Sequence, residues 1–111
     1  MKLVKWREIS PQDVTAEGAD KTTKRVLLGP EIAAPNFIMR LFEIAPGGST
    51  PSHSHDFEHE IFILSGNGVC VQPDKETPIV PEDAVFMPGG ETHCFKNTGD
   101  ETLRIICLIP A

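Results

Sequence analysis

The chain has 111 residues, 40% of them hydrophobic, and a formal charge of −6. That length fits one domain around a single core, and that apolar content excludes disorder. The acidic balance leaves no basic stripe, so neither nucleic acid nor an anionic membrane is an expected partner.

Residues 1–23 read as an N-terminal arm and loop: a short apolar piece (Leu3, Val4, Trp6, Ile9) followed by the polar run SPQDVTAEGADKTT. Charges at Lys2, Lys5, Arg7 and Glu8 interrupt this segment, which therefore reads as neither a signal peptide nor a membrane span, and a cytoplasmic protein is expected. Residues 24–111 carry the barrel domain. Its apolar runs are KRVLLG, NFIMRLFEIA, HEIFILSG, GVCVQP, TPIV, DAVFMPGG, HCFKNTG and TLRIICLIP, most of them closed by Gly, Pro or Asn. None sustains a helical period. Short strands with no crossover helices predict an all-β sandwich or barrel of antiparallel strands.

Alternation along HEIFILS sends His59, Ile61 and Ile63 to one face and Glu60, Phe62 and Leu64 to the other. Both faces are apolar, so a second sheet, the arm or a partner subunit must cover Phe62 and Leu64. A homodimer, with the arm in its contact, is the economical expectation. In the last run Arg104 marks the outward face and leaves Leu103, Ile105, Cys107 and Ile109 inside.

Three of the four histidines fall within SHSHDFEH, residues 52–59. Residues two apart on an extended strand share a face, so His53 and His55 aim at one point. His59 keeps that parity, and a turn at Asp56–Phe57 returns the next strand beside them. His93 follows the tight bend Pro88-Gly89-Gly90. This set predicts a site for one divalent transition metal: imidazole suits Mn, Fe, Co, Ni, Cu and Zn alike. Cys70, Cys94 and Cys107 are an odd number without CxxC spacing and are expected to be thiols, packed as small hydrophobes.

The block from Gly47 to Gly66 resembles the first motif of the cupin superfamily: Gly, five residues, HxH, three or four residues, Glu, six residues, Gly. PGGETHCFKN, Pro88 to Asn97, resembles the second, PxGxxHxxxN, at every fixed position. The resemblance implies a double-stranded β-helix, the cupin jelly-roll barrel, with a metal inside. One departure concerns the third ligand, usually a glutamate. His59 meets both spacings, Glu60 only the first and Glu58 neither, and both glutamates have the outward parity. The chain thus resembles small single-domain cupins with a four-histidine site, some of which hold manganese, and the implied ligands are His53, His55, His59 and His93. A second departure is Glu82, where the second motif normally begins with Gly.

Four neutral ligands leave the divalent charge uncompensated, and an octahedron would keep two adjacent positions open. A bidentate oxygen-donor substrate, or a substrate atom plus dioxygen, fits such a site. The expected function is accordingly a metal-dependent oxidoreductase of the dioxygenase type acting on a small organic molecule. A non-catalytic small-ligand or metal-binding module and a cupin isomerase are the alternatives. The pocket is expected to be lined by Ile61, Ile63, Phe95, Ile105 and Cys107, with Thr50 at its mouth. Arg40 is either an outward charge or an anion anchor inside; Glu91 is a solvated turn residue or a base. With no tyrosine in the chain, a phenolic acid is excluded.

Overall fold

The computed structural model describes residues 1–111. Apart from single 3-10 turns at Trp6–Glu8 and Pro30–Ile32, its regular elements are nine strands. They are β1 (Gln12–Asp13), β2 (Asp20–Leu28), β3 (Phe37–Ser49), β4 (His59–Ser65), β5 (Gly68–Gln72), β6 (Lys75–Ile79), β7 (Ala84–Met87), β8 (Cys94–Asn97) and β9 (Leu103–Pro110). All pairings are antiparallel, in the order β6-β5-β8-β3-β9-β4-β7, with β2 also on β3 and β1 on β2. The expected all-β jelly roll is the observed architecture. No helix is long and apolar enough to cross a membrane.

β3 joins the two halves of the curl. Its first part, Phe37 to Ile44, pairs with β9, while Ser49 at its end pairs with Lys96 of β8. The alternation expected for β4 holds: His59, Ile61 and Ile63 are buried, and Glu60, Phe62 and Leu64 are exposed. Ile44, Ile63 and Leu103 have no accessible surface, and each contributes ~2 kcal/mol by leaving water. β2 begins at Asp20 rather than at Lys24, and β1 pairs with it, so part of the segment read as an arm belongs to the sheet.

The first residues lie on the outside of their own barrel. The Trp6 ring meets the guanidiniums of Arg7, Arg25 and Arg104 at 4.2, 5.1 and 5.4 Å, and Arg25 Nε donates to the Ile9 carbonyl at 2.7 Å. Glu43 pairs with both Arg25 and Arg104 beneath. This layer leaves Phe62, Leu64 and Phe86 uncovered, at 42%, 40% and 57% exposure.

Two turns hold the motif ends. Gly66 has φ +83°, and a Cβ there would lie 2.6 Å from the Thr102 carbonyl oxygen, so the close of the first motif admits no side chain without backbone movement. Glu82 has φ +76°, the left-handed conformation that the usual glycine of the second motif would take without strain.

Candidate metal centre

The site forms where the loop before β4 meets the turn before β8. His53 and His93 exchange backbone hydrogen bonds, N to O at 3.3 and 3.1 Å, and so clamp the two histidine segments together. The bend ahead of His93 is seated on the first segment as well. Gly90 N–H donates to the His55 carbonyl at 2.7 Å, and a Cβ on Gly89 would fall 2.5 Å from the Asp56 carbonyl oxygen. Pairing of β4 with β7 and β9 then fixes His59 at the inner end of its strand.

Ring nitrogens of His55, His59 and His93, one from each, lie within 4.8 Å of one another. Each Nδ1 has an outer partner: the Phe57 carbonyl oxygen for His55 at 3.1 Å, the Glu91 carbonyl oxygen for His93 at 2.8 Å, and Cys107 Sγ for His59 at 2.8 Å. A neutral imidazole that donates from Nδ1 keeps its lone pair on Nε2, and such outer partners orient metal-binding histidines. The Nε2 atoms of His55 and His59 are 2.7 Å apart. The donor set therefore fits a cation bound on the Nε2 side. His53 is exposed and stands next to this trio, its ring centroid 5.0 Å from that of His55 and 5.9 Å from that of His93.

The electrostatics keep His59 and His53 neutral. His59 is held down to about 3 from 6.5, first by burial and then by His55, Arg40, His93 and His53. His53 is lowered by burial and then by His55, His93 and Arg40. Neutral imidazole is the metal-binding form. Glu58 and Glu60 are exposed, Glu60 stands opposite Phe86 across β4–β7, and neither belongs to the three-histidine group.

Residues 40–109 match the cupin domain family. The chain belongs to the cupin family. The structure is similar to that of the polyketide cyclase RemF from Streptomyces resistomycificus, with a TM-score of 0.93 and 37% identity over 99% of this chain and 79% of that one. It is 34% identical to an oxalate-binding protein of Thermotoga maritima, over 96% of this cupin and 92% of that protein. A 33% identity to 1-methylthio-D-xylulose 5-phosphate methylsulfurylase of Rhodospirillum rubrum covers 66% of this cupin but only 47% of that enzyme, so the chain spans about half the relative's length.

In this cupin the histidines open into a cavity of about 280 Å³. Arg40, Thr50, Ile61, Phe95, Ile105 and Cys107 line it; Ile63 does not, because it shares the inward face of β4 but lies deeper, wholly enclosed in the core. Arg40 points inward, its Nη2 3.0 Å from Cys107 Sγ and 3.5 Å from His59 Nδ1. Thr50 Oγ1 accepts the Phe95 N–H at 2.8 Å and ties the mouth to β8. Glu91 is exposed and accepts from Gln72 Nε2 at 2.9 Å, a surface contact outside the cavity. Sequence reasoning missed Val14, Ala16, Lys24, Phe42, Pro51 and Phe57 in the lining. Lys24 and Phe42 follow only from the register that sets them opposite one another across β2–β3. Phe57, in the turn, stacks on the His55 ring at 4.0 Å, and no periodicity marks such a residue.

Proposed function

We propose that this cupin is a metal-dependent enzyme acting on a small organic molecule, its one divalent transition metal held by His53, His55, His59 and His93. Manganese is favoured, and the imidazole set also suits Fe, Ni, Co, Cu or Zn. The observation that carries this reading is a histidine-only donor cluster at the wall of a cavity lined by no aspartate or glutamate. When bound, the metal supplies Lewis acidity and, for Mn or Fe, redox chemistry.

The chain's own residues do the rest. The Phe57 and Glu91 carbonyls hold His55 and His93 in the Nε2-presenting tautomer, and Cys107 Sγ orients the His59 ring from its Nδ1 side. Phe42, Ile61, Phe95 and Ile105 exclude water from the space beside them. With no carboxylate at the cavity wall, acid–base isomerisation lacks its usual group, and an oxidoreductase of the dioxygenase type is the first reading. The likeness to a polyketide cyclase favours a second, non-redox activation of a substrate carbonyl. Oxygen uptake by the Mn- or Fe-loaded protein with a panel of small organic substrates separates them. Turnover with uptake supports the first, turnover without uptake the second, and inertness across the panel leaves a ligand-binding module. The apolar patch at Phe62, Leu64 and Phe86 supports a homodimer, and three buried free thiols suit a reducing cytoplasm.

A further inference from the structure

We propose that the pocket selects an organic anion, a carboxylate on an apolar body, and that Arg40 is the residue that anchors it. This rests on the cavity being the substrate site and names the substrate class.

The chain carries 16 acidic and 10 basic residues, yet the cavity lining contains Lys24 and Arg40 and no acidic side chain. The two ion pairs of the chain both run to Glu43, from Arg25 and Arg104, so neither pocket cation is neutralised. Arg40 in particular is under-used. It faces Cys107 across β3–β9 and rests Nη2 on that sulfur, a weak acceptor, while its Nε is buried with no partner at all. Keeping a guanidinium among apolar walls costs free energy unless a counter-charge arrives. Nothing in the chain supplies one. A metal on the neutral histidines would add further positive charge, and the cavity then favours a negative occupant from every side.

The shape of the charge selects the group. A guanidinium presents parallel N–H donors in a plane that matches a carboxylate, and the Phe42 ring lies 5.0 Å beneath it. Lys24, opposite Phe42, adds positive charge to the same wall. Phe42, Phe95, Ile61 and Ile105 supply an apolar surface for the remainder of the molecule. If Arg40 served only to position Cys107 and His59, removing it would disturb metal binding but would not discriminate between charged and neutral ligands.

The probe pair is benzoate and benzamide, nearly identical in shape and different in charge, titrated calorimetrically into the metal-loaded and the chelator-stripped protein. Benzoate is expected to bind at least about tenfold more tightly than benzamide in both forms. In the stripped protein Arg40→Gln should cut that ratio at least about threefold, to what Lys24 alone sustains, and Arg40→Lys should keep more of it. Undetectable benzoate binding, equal binding of the two probes to the unaltered protein, or an unchanged ratio in Arg40→Gln each overturns the proposal. The ratio in the unaltered protein decides even if the variant fails to fold. A chain that retains no metal but keeps the ratio when stripped would refute the metal-enzyme reading and leave this one standing.

Discussion

His55 and His59 turn the same ring nitrogen toward each other, Nε2 to Nε2 at 2.7 Å. His55 Nδ1 faces the Phe57 carbonyl oxygen, which can only accept, so the neutral His55 ring carries its lone pair on Nε2, turned toward His59. A cation shared by the two nitrogens fits this approach, with His93 completing the group of three.

The purified protein, prepared without chelator, should therefore carry about one transition metal per chain. His59→Ala should weaken binding by well over tenfold, whereas Glu60→Ala, on the outward face, should leave it within about twofold. Elemental analysis with chelator competition checks both. Loss on Glu60→Ala with retention on His59→Ala would sink the four-histidine reading.

Cys107 sets the second nitrogen of His59. Cys107→Ser keeps an acceptor at that place and should retain most metal affinity, while Cys107→Ala should cost roughly 10-fold or more, in the range found for outer partners of ligating histidines. Equal affinities for the Ser and Ala variants would show that the sulfur only fills space. Burial raises this thiol, with Arg40 opposing, so the native protein should react slowly with a thiol reagent near neutral pH.

The inward His59 and the outward Glu60 were legible because both follow from parity along β4 and the spacing between Gly47 and Gly66. Parity names a face, not a depth. For that reason Ile63 was expected in the pocket and lies in the core, while Arg40, on a strand with apolar residues on both faces, stayed undecided until its register opposite Cys107 was known. Val14 and Ala16 reach the cavity because β1 pairs onto β2, a long-range pairing that the polar run before residue 24 does not announce.

Glu82 at φ +76° carries a side chain in the left-handed region, where the strain is ~1–2 kcal/mol. The Glu82 side chain is exposed and its backbone N–H donates to the Ile63 carbonyl at 2.8 Å, so Glu82→Gly relieves strain without removing a contact. Allowing for the greater freedom of glycine in the unfolded chain, a net gain of about 0.5–1 kcal/mol is expected. A lower melting temperature in the variant would contradict this.

Phe62, Leu64 and Phe86 form an apolar patch beside the area that Trp6 and its arginines cover. If the patch is a dimer contact, Phe62→Glu should shift the protein to single chains in sedimentation, with metal content unchanged because Phe62 points away from the cavity. A parent protein that already sediments as single chains would remove the homodimer.

Acid should destabilise the metal-stripped protein through His59. In the unfolded chain this ring takes up its proton near 6.5, whereas burial in the folded chain delays protonation to about 3. Between those values the unfolded state binds more protons, so the stability that neutral His59 contributes is complete above 6.5 and is lost as the pH falls through that window. His53, lowered first by burial and then by His55, His93 and Arg40, adds to the slope. Carboxylates also titrate at the acid end, and His59→Gln separates the two contributions: its melting temperature should fall less steeply than the parent's from about pH 7 to 4. Bound metal should deepen the parent's loss, since protons and the ion compete for the same nitrogens. Parallel profiles for parent and variant would show that His59 is not held neutral in the fold.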